Sequence, residues 1–379
     1  MTIAYEAVTA TELLREYRPG SSFLFSSPQH TLLASGRSRA VAPAATLELL
    51  AGRVREAGEF VVGALPFDDP ASAHLVVPER TRWADPFLFG RPSSPEPSGG
   101  DWTITPVPSP EGHLRAVERA LRLLEDGELD KVVLARTLEL TGGGPADVGA
   151  MLRGLAARDP NGHTFAVPLP GARTLVGASP ELLVARSGST VTTNPMAGSA
   201  ARHPDPDEDR RRAAALLCSA KDQHEHAVVV RAVTDALRPY CRGLSVPTQP
   251  SLICTATMWH LSTRITGRLG DERTSALDLA VALHPTPAVC GTPADTAKKV
   301  IADLEPFDRG FYSGMVGWSD ASGDGEWAVT IRCAEVGTDR LRLFAGGGIV
   351  AGSRPADELA ETSAKFRTLL LALGLDPAL

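Results

Sequence analysis

Short apolar runs separated by turn-forming residues recur along this chain. Over residues 1–90 they are SFLFSS, HTLLAS and EFVVGALPF, with one helix-like stretch near residues 46–57. Runs of this kind, rich in Val, Leu and Phe and bounded by Gly, Pro, Ser or Asn, predict strands. More strands are predicted at KVVLARTLEL, HTFAVPL, RTLVGAS, ELLVARSG and STVTTNP, and around residues 261–268, 312–318, 326–336 and 340–350. The apolar spacing predicts helices near 110–126 and 146–158, and one long helix over about 206–238 that halts before Pro239. A last helix is expected over about 355–372, with Ser353 or a neighbour as its cap, Pro355 in its first turn and Gly374 just past its end.

Adjacent strands that can pair as hairpins, with helices gathered between them, indicate an α+β fold rather than a regular βαβ alternation. The stretch GRPSSPEPSGGD over residues 90–101 is rich in Pro, Ser and Gly and is expected to be an exposed loop. No internal repeat is visible. The whole of residues 1–379 is read as one large domain, with a mostly β part over 1–104 and the remaining motifs over 105–375.

Composition narrows the function classes. A chain of 379 residues that is 43% hydrophobic and 22% charged can bury a large core. No window approaches the roughly 18 apolar residues of a membrane span, and the first residues lack a basic segment followed by an apolar one, so a cytoplasmic location is expected. Five cysteines without a CxxC pair suggest neither a disulfide framework nor a cysteine-rich zinc site. The net charge of −7 disfavours a nucleic-acid partner, because neutralising phosphates needs a basic face. Lysine is scarce: Lys131, Lys221, Lys298, Lys299 and Lys365 are all there are. Any of them in an apolar strand needs a reason.

Five constellations can carry chemistry. Asp222 and Glu225, and again Glu358 and Glu361, are spaced three apart on predicted helices, so each pair projects from one face. Four hard oxygen donors suit Mg²⁺; solvated surface carboxylates are the competing account. His224 and His226 flank Glu225, but two apart on a helix they point in different directions and do not make a shared zinc site. Lys131 heads the apolar run KVVLAR, where burial would favour a neutral, basic amine; a strand-end lysine reaching water is the alternative. Glu181, entering the strand of GASPELLVAR, is placed to stay protonated and donate a proton, or else to sit half exposed in a turn. The glycine tract of FAGGGIVAGSRP, read as lying between a strand and the last helix, either brings backbone N–H groups close to an anion or makes a tight turn. Arg332, in the strand WAVTIRCAE, needs an anionic partner, either a carboxylate ligand or an internal carboxylate. Lys365, one turn after Glu361, can pair with it.

Taken together, KVVLAR, GASPELLVAR, NPMAGSAAR, KDQHEHAVVV, HPTPAVCGTP, YSGMVGW, GEWAVTIRCAEV, FAGGGIVAGS and ELAETSAKF resemble the signature blocks of the chorismate-utilising enzymes, most closely the isochorismate-forming branch. The resemblance covers roughly residues 105–375. It implies a single α+β unit of stacked, largely antiparallel sheets with helices packed outside. It further implies chorismate as substrate, Mg²⁺ as cofactor, and a monomer. On the matching positions it makes Lys131 the general base that activates water for attack at ring carbon 2, and Glu181 the general acid for the departing hydroxyl at carbon 4. Glu225 and Glu361 become the main metal carboxylates, with Asp222 and Glu358 beside them. Arg332, Tyr312, Lys365 and the amides of Gly346, Gly347 and Gly348 would receive the enolpyruvyl carboxylate, and Gly198, Ser199 and His284 would line the ring pocket. Ala197 stands where some relatives carry a nucleophilic lysine, so water is the expected attacker. Ala288, Val289 and Ile331 resemble the isochorismate-forming pattern, whereas Tyr312 leans toward relatives that go on to eliminate pyruvate and yield salicylate. A non-catalytic anion-binding homologue is the alternative of another class. The product is expected to enter siderophore or other aromatic metabolism, menaquinone included.

Overall fold

The computed structural model describes residues 8–87 and 101–375. Nearly all of the loop expected over 90–101 lies outside the described residues. Two large sheets and one small one organise the described chain, and every strand pairing in them is antiparallel. The first sheet runs in the order Gly291–Thr292, Lys131–Thr141, Arg340–Ile349, Cys333–Val336, Arg173–Ser179, His163–Leu169, Ser22–Ser26, Thr31–Ser35, Arg80–Ala84. Thr103–Val107 also pairs with Lys131–Thr141. The second runs Cys241–Ser245, Ile265–Leu269, Thr190–Thr193, Leu182–Ser187, Gly325–Val329, Met315–Ser319, Val61–Leu65, His74–Val77, Arg39–Ala40. Strands from the first ninety residues therefore extend both large sheets.

Packing follows from the two-residue period of the strands, which turns alternate side chains to opposite faces. Phe23, Phe25, Phe165 and Phe344 of the first sheet meet Val62, Ala64, Val316 and Trp318 of the second in one buried layer. Each buried Phe or Val of this layer contributes roughly 1.5–3 kcal/mol through burial. On the outer face of the first sheet pack helices Ala10–Glu16, Val148–Arg158 and Pro355–Ala372. Against the second pack Leu47–Ala57, Ala220–Leu237 and Ala276–Leu283. The expected α+β class, with stacked sheets and helices outside, is the observed one. Among the described residues no helix is long and apolar enough to cross a membrane, and all five cysteines are free thiols.

Several local expectations are corrected. The long helix over 206–238 is two helices, Pro206–Cys218 and Ala220–Leu237, broken at Ser219, whose side chain caps the second by accepting from Asp222 N–H. The strand expected over 326–336 is also two, Gly325–Val329 in the second sheet and Cys333–Val336 in the first. Arg332 is thus in the crossing between sheets rather than in a strand. The strand expected from residue 312 begins at Met315. Gly346, Gly347 and Gly348 lie inside the strand Arg340–Ile349, not in a turn after it. The last helix does take a neighbour of Ser353, Arg354, as its N-cap, but without a side-chain bond, since a guanidinium has no acceptor; Ser353 Oγ donates instead to Glu358 at 2.7 Å.

Candidate active site

Two of the points at which the chain crosses from one large sheet to the other lie side by side, and each carries a charged side chain. Ser179 ends a strand of the first sheet and Leu182 begins one of the second, with Pro180 and Glu181 between. Thr330–Arg332 makes the return crossing. Backbone bonds tie the crossings to each other's strands: Val329 N–H donates to Glu181 C=O at 3.1 Å, and Ala178 N–H to Arg332 C=O at 3.2 Å. Arg332 adopts φ of 49°, a left-handed conformation that costs a non-glycine residue on the order of 1 kcal/mol or more. The surrounding hydrogen bonds hold it there, so the sharp crossing fixes where the guanidinium points.

A narrow cavity of about 60 Å³ opens at these crossings, and its wall includes Glu181, Gly198, Ser199, Glu225, Tyr312, Arg332, Gly346, Gly348, Glu361 and Lys365. Lys131, at the start of its strand, has no exposed surface. The two-residue period puts it on the same face as Val133, which lines the cavity. Its Nζ lies 2.8 Å from Glu225 Oε1, a close amine–carboxylate contact without hydrogen-bond geometry. The glycine tract makes this approach possible. A Cβ on Gly348 would lie 2.2 Å from Glu225 Oε1 and 2.9 Å from Lys131 Cε, and one on Gly346 would lie 2.6 Å from the Tyr312 hydroxyl. Gly347 faces the other way, toward Glu358 and Glu361.

Backbone groups of the same tract are unevenly free. Val133 and Ala135, the register partners of Gly348 and Gly346, direct their N–H groups to Cys290 C=O and Glu305. These are therefore non-hydrogen-bonded pairs, and the N–H and C=O groups of Gly346 and Gly348 point away from the lysine strand. Lys365 reaches that free edge, donating to Gly346 C=O at 2.8 Å.

Burial sets the protonation of the wall. Desolvation pushes Glu181 up to about 7 even though Met196 N–H, Lys131, Arg332 and Lys365 all favour its ionised form. Tyr312 is pushed up to about 12, again by burial, and stays a neutral donor. Arg332 Nε is buried with no hydrogen-bond partner, while its Nη2 lies 3.2 Å from His260 Nε2. Burial, then Arg332, hold His260 well below its usual value, so its ring is neutral. His260 lines the cavity and was missed in the sequence, where its only signal is an imidazole between Trp259 and Leu261 in the strand Met258–Ser262.

Four carboxylates gather beside the cavity from the two helices that the spacing singled out. Glu225 is buried against Lys131, and Glu358 Oε1 accepts from Lys221 at 2.8 Å. Glu361 Oε1 accepts from Lys365 at 2.5 Å and from Ser199 Oγ at 2.9 Å. Burial and the neighbouring Glu361 push Glu358 up to about 7. Burial would raise Glu361 too, but Lys365, Lys221 and Ser199 together outweigh it and hold the net shift downward. Burial raises Asp222, and like charge from Glu225 and Glu361 adds to that. Glu358 Oε2 is a buried oxygen with no partner; a Cβ on Gly347 would lie 3.1 Å from it and 3.8 Å from Glu361 Oε1. An all-oxygen donor set with an orphaned carboxylate oxygen fits a hard divalent cation. Among the described residues no three such donors are already drawn into one coordination group.

Two expected positions fall elsewhere. His284 does not line the cavity: its Nε2 lies 3.0 Å from Phe67 C=O and its ring packs edge-on against Phe67. Gly347 faces the last helix rather than the cavity. Of the flanking pair, His224 is exposed and His226 is bonded to Thr263 Oγ1 at 2.7 Å.

A family model described as chorismate binding enzyme matches residues 87–374. The chain is 53% identical to the isochorismate synthase DhbC of Bacillus subtilis, over 97% of each chain. It resembles the crystal structure of a putative 2,3-dihydroxybenzoate-specific isochorismate synthase, DhbC, from Bacillus anthracis, with TM-score 0.90 and 49% identity over 97% of this chain and 100% of that one. It also resembles MenF, the menaquinone-specific isochorismate synthase of Escherichia coli, with TM-score 0.82 and 25% identity over 97% and 92% of the two chains.

Proposed function

The chain belongs to the family of chorismate-binding enzymes, and from that membership we propose that it is an isochorismate synthase, an isomerase that moves a hydroxyl of chorismate from ring carbon 4 to ring carbon 2. One observation above all supports the chemistry: a buried carboxyl pushed up to about 7, Glu181, lines the cavity, and a fully buried amine, Lys131, lies against Glu225 of the same wall.

In this reading Lys131 takes a proton from the water that attacks carbon 2. Glu181 gives a proton to the hydroxyl leaving carbon 4, and the ring double bonds shift between the two positions. Water enters and water leaves, so the product is an isomer of the substrate. Lys131 ends protonated and Glu181 ionised; return of one proton through solvent resets them. Arg332, with an unpartnered Nε, receives the enolpyruvyl carboxylate together with Tyr312, Lys365 and the free N–H groups of Gly346 and Gly348. Gly198 and Ser199 border the ring. Glu225 and Glu361, with Asp222 and Glu358 beside them, would hold Mg²⁺, which when bound supplies positive charge for the ring carboxylate. Local cations of this kind let a dianionic substrate enter a protein of net charge −7. A cytoplasmic monomer feeding siderophore or other aromatic metabolism completes the proposal.

The deciding experiment incubates purified protein with chorismate and Mg²⁺ and separates the products by chromatography. Isochorismate alone is the expected result. Salicylate with pyruvate would make the protein a salicylate synthase, and unconsumed chorismate would leave only the anion-binding homologue.

A further inference from the structure

The strand that carries Lys131 has a gap along one edge. Arg340–Ile349 pairs with it from Val132 to Thr141. On the opposite edge Gly291–Thr292 pairs only with Lys131 and Val132, and Thr103–Val107 only with residues 137–141. Val133 N–H donates to Cys290 C=O at 2.8 Å, and beyond that point no strand runs. Val133 C=O and Ala135 N–H face the gap.

Two side chains fill it. Arg309 Nη2 donates to Val133 C=O at 2.8 Å, and Glu305 Oε1 accepts from Ala135 N–H at 2.7 Å. One donor and one acceptor at these positions reproduce what a neighbouring strand would offer. The two side chains are bonded to each other, Nε to Oε2 at 2.8 Å and Nη2 to Oε1 at 2.5 Å, and each is 3% exposed. The second arm of the guanidinium, Nη1, donates to Val289 C=O at 2.8 Å, and Tyr312 N–H donates to Arg309 C=O at 2.9 Å. Val133, Val289 and Tyr312 all line the cavity.

Stability alone is a weak reason for such a pair, since apolar residues of similar volume commonly replace a buried ion pair without loss. Here they would leave Val133 C=O and Ala135 N–H buried and unpaired. We infer that Glu305 and Arg309 are positioning residues: a side-chain substitute for the missing strand, which holds the segment carrying Lys131 in register with the Val289 and Tyr312 wall. The inference rests on the reading of Lys131 as the base.

Arg309→Lys keeps the charge, but one ammonium cannot span Val133, Val289 and Glu305 together. The expected result is a fall in kcat of about a hundredfold, the usual consequence of misplacing a catalytic group by roughly 1 Å. KM should change far less, because Arg332 and Lys365 lie on other segments and the Arg309 C=O that accepts from Tyr312 N–H is kept. Hydrogen exchange at the Ala135 amide, followed by NMR, should accelerate while amides of the strand Ser22–Ser26 keep their rates. Glu305→Gln retains an acceptor for Ala135 and should keep most of kcat, whereas the shorter Glu305→Asp should lose it; this pair decides the matter if Arg309→Lys does not fold. Unchanged kcat despite faster Ala135 exchange would overturn the inference, as would a loss of kcat accompanied by faster exchange throughout the first sheet. Failure of the wild-type protein to convert chorismate would instead strike the functional reading, and the Ala135 exchange rates would still report on the clamp.

Discussion

Lys131 Nζ and Glu225 Oε1 sit 2.8 Å apart in a wall where Lys131 has no exposed surface. One partner comes from a strand of the first sheet and the other from a helix packed on the second. The pair therefore joins the proposed base to the carboxylate cluster as well as the two layers to each other. Removing one member of a buried pair strands the other and costs about 3–5 kcal/mol. Lys131→Ala is expected to abolish turnover, to keep the native circular dichroism spectrum, and to unfold at lower denaturant. Lys131→Ala with Glu225→Gln should regain stability without regaining activity. Appreciable isochorismate formation by Lys131→Ala would remove the lysine from the role of base.

Glu181 sets a pH dependence whose sign is fixed by the direction of its shift. Its carboxyl is raised from 4.5 to about 7 by burial, so the acid form needed to protonate the leaving hydroxyl is lost as pH rises through about 7. Values of kcat/KM should fall on that alkaline limb, and Glu181→Gln should abolish turnover at every pH. For stability, the folded protein binds the Glu181 proton more tightly than the unfolded chain. Stability from this group is therefore full below about 4.5 and declines between there and about 7, by roughly 3 kcal/mol. Glu181→Gln should accordingly raise Tm at pH 8 while leaving it nearly unchanged at pH 4. An equal shift of Tm at both pH values would show that the carboxyl is not desolvated.

Much of this was legible in the sequence, for reasons that differ from residue to residue. Lys131 and Glu181 stood out because a charged group adjoining an apolar run needs an explanation, and the three-residue spacing of Glu358 and Glu361 put both on one helix face whatever the tertiary fold. The sheet crossing at Arg332 was not legible. WAVTIRCAE reads as one run of strand-forming residues around Arg332, and a strand's local pattern does not say which sheet it joins. The break at Ser219 was hidden similarly, since helical periodicity continues on both sides of a residue that ends one helix and caps the next. His284 and His260 show the limit for single residues: one faces Phe67 and the other the cavity, and only pairings made far along the chain decide which.

The carboxylate cluster should be read through its metal titration. Glu361 accepts from both Lys365 and Ser199, so removing it frees a lysine and a hydroxyl as well as deleting a donor. Glu361→Ala is expected to weaken Mg²⁺ binding by at least about tenfold, within the range for losing a ligand or its support, and to end or nearly end activity. Isothermal titration with Mg²⁺ alone checks the first effect without turnover. An unchanged binding curve would count against Glu361 as a metal carboxylate.

Gly348 offers a test in which no charged group is altered. Its absent Cβ leaves room for Glu225 Oε1 and Lys131 Cε, which would lie 2.2 Å and 2.9 Å from a methyl group placed there. The backbone of Gly348 is in the ordinary strand region, with no positive φ to favour glycine, so Gly348→Ala acts through space alone. The methyl must push the carboxylate or the amine aside, and a displacement of about 1 Å at a catalytic group costs on the order of a hundredfold in rate. Gly347→Ala points its methyl at Glu358 Oε2 from 3.1 Å, a tight contact on the far side of the strand that leaves Lys131 and Glu225 untouched. Steady-state kinetics on the two variants should therefore diverge, with kcat falling steeply in Gly348→Ala and the Mg²⁺ requirement rising in Gly347→Ala. Equal, mild effects in both would mean that the lysine and its carboxylate do not depend on the space this strand leaves them.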